Sequence, residues 1–214
     1  MLAPTATPEQ LAALRDRVAA LLVGGTCARI GFRMTGQMGG VHVRPGGYSM
    51  IGMAVAAAPP VQEGFIRHRQ IGVAVRRQRA GSAASYSPLY NRLSFPDHNY
   101  GNTPPERASI VHEATHAVYD YLRFRVTRME AEAGAYIAES IFNRLEGLDD
   151  SHAASPVRRV AWEISASLVG TPGGAVALVD AELQRRLIHE IVSRPVYQGI
   201  ANLYERARFD GGRI

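Results

Sequence analysis

The chain has 214 residues, 46% of them hydrophobic and 20% charged, with a formal net charge of +5. That is enough for one globular domain, or one domain with a lobe, and no apolar run approaches the roughly 18 residues of a membrane span. A lone cysteine, Cys27, excludes an intrachain disulfide and reads as a small buried apolar residue.

The opening residues, Met1-Leu2-Ala3-Pro4-Thr5, carry neither a basic n-region nor an apolar h-region. A cytoplasmic location is therefore the expectation, with export by a route needing no such signal left open. Thr7-Pro8-Glu9-Gln10 is a helix start: a threonine cap, proline at the first helical position and an acid in the first turn. Leu11, Leu14, Val18, Leu21 and Leu22 follow at helical spacing, and Gly24-Gly25 ends the run.

Residues 26–102 read as a β-rich lobe. Short runs suited to strands are Ala28–Arg33, Val41–Arg44, Tyr48–Val55 and Gln70–Arg76, the last with Ile71, Val73 and Val75 alternating. Met34, Met38, Met50 and Met53 are expected to fill gaps in the core. Ala57–Pro60 and Arg79–Ser82 read as loops. The basic clusters Arg67-His68-Arg69-Gln70 and Arg76-Arg77-Gln78-Arg79 suit the solvated face and end of a strand better than a nucleic-acid surface. Ser87–Phe95 is one more strand, with Leu89, Leu93 and Phe95 on one face. His98 and Tyr100 sit in the loop behind it.

Thr103-Pro104-Pro105-Glu106 then starts a helix with a capping box and prolines in its first turn. That helix, expected to reach about Phe124, carries His112-Glu113-Ala114-Thr115-His116. Histidines four apart lie on one helical face a turn apart, where two imidazoles can share a zinc ion. Glu113 lies between them, angled to reach a metal-bound water. Apart from it and the histidines, the motif and its flanks from Ile110 to Val118 are uncharged, as suits a helix running through the interior. A second helix is expected from Thr127 to about Leu145. A third is capped by Ser155, and Gly170-Thr171-Pro172-Gly173-Gly174 breaks it. A fourth runs from Val176 to Ile191, and a short one covers about 196–207. The pattern is β-rich early and helical late, an α+β chain. It is taken as a single unit with an N-terminal helix (1–25), the β-rich lobe (26–102), metal-binding helices (103–145) and a helical C-terminal part (155–214).

The segment 86–145 resembles the gluzincin-type zinc metallopeptidases in its H-E-x-x-H motif and in the glutamate-bearing helix that follows. The metzincin extension is excluded, because Tyr119 and Leu122 stand where it needs glycine and histidine. The resemblance implies a zincin-like fold, with a twisted sheet over the active-site helix and residues 89–95 as a rim strand that pairs with extended substrate. It also implies a third zinc ligand from the second helix. Two glutamates compete. Glu130 lies three after Thr127, where a capping box would occupy it. Glu132 is followed by the small residues Ala133, Gly134 and Ala135, which allow close packing, and it is the choice. Glu139, seven further on, reads more readily as a solvated charge than as a partner of a metal-bound histidine. Tyr136 is the first candidate to stabilise an anionic intermediate, ahead of His98 and Tyr100. His189-Glu190 lacks a second histidine, and His42 and His152 have no metal-spaced neighbour.

The expected activity is zinc-dependent hydrolysis of peptide bonds, with His112, His116 and Glu132 on Zn²⁺ and Glu113 as general base on a zinc-bound water. The partner is then a peptide or protein substrate. Two other readings compete: a zincin-fold binding or regulatory protein with little general protease activity, and a basic nucleic-acid or partner-binding module. Metal content separates the last from the others.

Overall fold

The first helix, α1 (Pro8–Val23), starts where the sequence places it. Gln10 N–H donates to Thr7 Oγ1 at 3.3 Å and Thr7 N–H to Gln10 Oε1 at 2.8 Å, closing a capping box. The structure, a computed structural model, describes residues 6–36, 40–59, 69–78, 83–169, 176–198 and 206–207. The expectations for Met38, Arg67, His68 and the loop at 79–82 lie outside these residues. So do those for the break at 170–174 and most of the helix over 196–207.

The stretch expected to be β-rich contains helices as well. Gly25–Ala28 forms the short α2, and of the run expected over Ala28–Arg33 only Phe32 and Arg33 become strand, in β1 (Phe32–Met34), antiparallel to β2 (Val41–Val43). Tyr48–Val55, expected as a strand, is instead helix α3 (Gly47–Ala56). A short apolar run fits either period. Here Tyr48, Ile51, Gly52 and Val55 are buried at helical spacing while Met53 is 59% exposed. Gly52 decides the packing. A Cβ there would lie 2.7 Å from Val23 Cγ2 and 3.0 Å from the Ala19 carbonyl, so its absence lets α3 press against α1. Met34 is core, as expected, and Met53 is not.

Strands β3 (Gly72–Val75), β4 (Ser85–Ser87) and β5 (Arg92–Phe95) make a sheet in the order β3-β5-β4, with β3 parallel and β4 antiparallel to β5. The single strand expected over 87–95 is thus two strands around a turn at Pro88–Asn91. Asn91 adopts φ 48°, a left-handed conformation asparagine tolerates, and Leu89 is exposed in the turn. All four residues of β3 are buried, because α1 covers one face and the alternation expected of a half-buried strand does not apply. Arg76 and Arg77 are exposed just past its end.

Helix α4 (Pro104–Tyr121) begins at Thr103. Glu106 there accepts the amides of Gly101, Asn102 and Thr103 at 3.0–3.1 Å. It ends at Leu122, earlier than Phe124, because Arg123 turns left-handed at φ 56°. After the two-residue strand β6 (Val126–Thr127) comes α5 (Arg128–Leu145), which packs against α4, α6 (Pro156–Val169) and α7 (Ala181–Val192). Residues 176–179 are not the first turn of α7. They are extended along β1, with Arg33 N–H donating to Ala177 O and Val179 N–H to Arg33 O, both at 2.8 Å, and the cap of α7 is Asp180. Of the helix expected near the end of the chain, the described residues show α8 (Pro195–Gln198). Arg206–Ala207 form β7, which pairs with β6. The architecture is mixed α/β with small sheets, and one cluster of buried residues runs from α1 to Tyr197. No helix among the described residues is long and apolar enough to cross a membrane.

The α4–α5 contact is close because Ala133, Gly134 and Ala135 are all small and buried. A Cβ on Gly134 would fall 1.9 Å from Tyr119 Oη, and Tyr119 is itself fully buried. Overpacking of this kind costs about 1–3 kcal/mol, more than the roughly 1 kcal/mol alanine gains in helix propensity when the neighbour has nowhere to go. Gly134→Ala is expected to lower Tm by several degrees in thermal denaturation. An equal or higher Tm would show that Tyr119 can yield.

Candidate metal centre

Helix α4 presents His112 and His116 on one face, their ring centroids 5.4 Å apart. Helix α5 brings Glu132 between them. Its Oε2 lies 3.7 Å from His112 Nε2 and its Oε1 3.8 Å from His116 Nε2. One ligand atom from each of the three residues can be chosen so that all lie within 4.8 Å of one another. This is the one such group of three or more His, Cys, Asp or Glu among the described residues. Each of the three side chains keeps 12–15% exposure, so the cluster is largely walled by protein without being sealed from solvent.

Glu130 is absent from this group for the reason the sequence gives. Its carboxylate accepts Thr127 N–H at 2.7 Å and its amide donates to Thr127 Oγ1 at 3.2 Å. Cap and ligand are divided between two glutamates two residues apart.

Glu139 is not a solvated charge. It is 5% exposed, and its Oε2 accepts from His112 Nδ1 at 3.1 Å while its Oε1 accepts Arg158 Nε–H at 2.9 Å. The helical repeat carries it from the Glu132 position two turns further to the far edge of the same imidazole. With Nδ1 donating to a carboxylate, the other ring nitrogen of His112, Nε2, faces Glu132.

The charges are arranged for a cation. Burial opposes a proton on His112, but Glu132 and Glu139 outweigh it and raise its pKa well above the ordinary value. Burial pushes His116 down to about 4, so its imidazole is neutral near pH 7. Burial favours the neutral form of Glu132, yet His112, His116 and the Tyr197 hydroxyl hold its pKa at about 2. Glu139 likewise stays below the usual range, against burial, through His112 and Arg158. Two imidazole nitrogens and a carboxylate oxygen, one imidazole already held at its far edge by Glu139, are donors that fit a small divalent cation.

Glu113 stands beside the cluster. Burial, reinforced by the charge of Glu132, pushes its carboxyl up to about 7, despite His112 and the Tyr86 amide. That amide belongs to β4 and donates to Glu113 Oε2 at 2.8 Å. β5, within the run expected to line the cleft, has neighbours on both sides, and the strand bordering Glu113 is β4. The Tyr86 hydroxyl also donates to Asp120 Oδ2 at 2.6 Å, seven residues along α4 from Glu113. One residue of β4 thus grips the motif helix at two points.

Tyr136 is 8% exposed, with its ring edge-on to His112 at 4.7 Å between centroids, and its hydroxyl accepts from the Arg194 guanidinium. His98 lies away from the cluster, its Nε2 3.3 Å from Gln10 Nε2, and Tyr100 is buried against Phe95. Cys27 is buried, as expected, and burial raises its thiol to about 12. Sequence reasoning missed Tyr197, whose hydroxyl donates to Glu132 Oε2 at 2.9 Å across 65 residues of chain, and also the Tyr86 amide, Arg158 and Arg194. None carries a local signal, since each reaches the site only through tertiary packing.

No family model, curated protein or solved structure matches the chain.

Partners of metal-bound histidines are typically worth 10–100-fold in affinity. Glu139→Ala is expected to weaken binding of a divalent transition metal by that factor in chelator competition. Glu130→Ala is expected to leave affinity in place and cost about 1 kcal/mol of stability through the lost cap. The reverse pattern would exchange the two glutamates' roles.

Proposed function

We propose that the chain is a zinc peptidase of the gluzincin type, with a zincin-like fold, in which His112, His116 and Glu132 hold the metal and Glu113 is the general base. The observation that carries this reading is the meeting of those three donors, from two helices, beside a half-buried carboxylate, Glu113, that is not one of them. Two imidazoles and one carboxylate are a zinc donor set found in catalytic sites, which take three protein ligands and keep a further position open. The residual exposure of the three side chains supports that arrangement.

When bound, zinc supplies Lewis acidity, polarising a scissile carbonyl and making water a competent nucleophile near neutral pH. The chain's own residues do the rest. Glu113, at about 7 before the field of a cation draws it down, is placed to take a proton from the attacking water and return it to the leaving amine. The Tyr86 amide holds one oxygen of its carboxylate, Oε2, in place. Tyr136 accepts from Arg194 through its oxygen, which leaves its O–H free to be directed elsewhere, and it is assigned to donate to the developing oxyanion. The substrate is an extended peptide whose backbone lies along β4.

The test is metal analysis and turnover of fluorescent casein and a mixed peptide library, for wild type beside Glu113→Gln. Wild type is expected to carry one zinc per chain, and chelation to abolish turnover until zinc is returned. Glu113→Gln is expected to keep the zinc and lose about 10³-fold in turnover, within the range for removing a general base. A wild-type protein that binds no zinc, or a variant that hydrolyses peptides as well as wild type, would overturn the proposal.

A further inference from the structure

Tyr197 and Arg194 belong to neither the motif helix nor the glutamate helix, yet both reach the metal cluster. They flank Pro195, where α7 gives way to α8. Tyr197 is 8% exposed and donates its hydroxyl to Glu132 Oε2 at 2.9 Å, the same oxygen that lies 3.7 Å from His112 Nε2. Arg194 donates to the Tyr136 hydroxyl, and the Tyr136 ring stands edge-on to His112. The turn from α7 into α8 therefore acts on two ligands at once, one through a hydrogen bond and one through a ring.

We propose that Tyr197 is a positioning residue for the third metal ligand, with Arg194 supporting it through Tyr136, so that the α7–α8 turn forms part of the metal site. The physical reason lies in the carboxylate. A glutamate side chain has three rotatable bonds, and its two oxygens are equivalent until something distinguishes them. Here both oxygens face imidazoles at 3.7–3.8 Å, so the imidazoles alone do not select a rotation of the group. The Tyr197 hydroxyl does. It engages Oε2 and leaves the Oε1 lone pairs free toward His116. Fixing the carboxylate before the metal arrives removes an ordering cost from binding, the usual effect of a hydrogen bond to a ligating group. Tyr197→Phe removes only the hydroxyl, leaving the ring to fill its place.

The inference rests on His112, His116 and Glu132 being the metal ligands, and the experiment separates the two ideas. Zinc affinity is measured by chelator competition for full-length wild type, Tyr197→Phe and Arg194→Gln. The visible spectrum of each Co²⁺-loaded protein is recorded, with the Tm of each metal-free protein as a folding control. Tyr197→Phe is expected to weaken zinc binding about 10-fold, at the lower end for such partners, and to shift the cobalt spectrum while the metal-free Tm stays close to wild type. Arg194→Gln is expected to have a smaller effect in the same direction. Tyr197→Phe with wild-type affinity and an unchanged spectrum would overturn the inference while leaving the three-ligand site intact. If Tyr197→Phe lowers the metal-free Tm, an unchanged cobalt spectrum assigns the hydroxyl to stability alone and also overturns it. Wild type that binds neither zinc nor cobalt would sink the metal site itself, and this inference with it.

Discussion

The approach of α5 to α4 is the contact on which everything at the site depends. Two histidines on one helix make half a metal site wherever they occur at this spacing. The other half needs a carboxylate delivered to within a few ångströms from a separate element, and here only backbone-close packing delivers it. Gly134 has no side chain where Tyr119 passes, and Ala133 and Ala135 flank it, so the helices meet with little between them. The same small residues that look featureless in the sequence set the distance from Glu132 to both imidazoles. Tyr119 is in turn boxed in by the core, so the spacing is held by dense packing on both sides.

Electrostatics make this arrangement costly on its own. Glu113, Glu132 and Glu139 gather around two imidazoles in a largely dry region. A carboxyl whose pKa climbs from 4.5 to about 7, as that of Glu113 does, bears a penalty of about 3 kcal/mol on its charged form. The other two carboxylates escape that penalty by different means. Glu139 has Arg158 and His112, and Glu132 has both imidazoles and the Tyr197 hydroxyl. The protein thus separates its carboxylates into two that stay ionised and one that titrates near neutrality, using neighbours rather than sequence position. Separating the pKa values of similar groups in this way is how a fold assigns acid–base roles.

What could be read in the sequence was whatever is encoded within a turn or two of chain. The caps at Thr7, Thr103 and Thr127 are such features, as are the histidine pair and the contrast between Glu130 and Glu132. Glu130 is the instructive case: a three-residue offset from Thr127 is enough to expect its carboxylate to be engaged in a cap, and so to prefer Glu132 as the candidate ligand. The stretch 48–55 could not be read, because a run of eight mostly apolar residues fits both a strand and a helix until Gly52 is seen against α1. The fate of Val176–Val179 depended on an extended partner 145 residues away in β1, whose Arg33 bridges to Leu178. Glu139 was misjudged for the same reason. Its counter-ion, Arg158, lies on the next helix, and no spacing rule connects the two.

The long reach of the Tyr197 contact bears on when the candidate metal site is complete. The bonds that shape the site span 27 residues for Glu113 and for Glu139, and 65 for Tyr197. Such separations are slow to close, since loop entropy is lost before the contact repays it. On a chain made from its N-terminus, α4 and α5 emerge well before the α7–α8 turn, so the three donors exist for a time without the hydroxyl that sets Glu132. The complete set of contacts around the candidate metal site is therefore a property of the finished fold. A fragment covering only the two ligand helices would hold every donor atom and still bind metal more weakly than the whole chain.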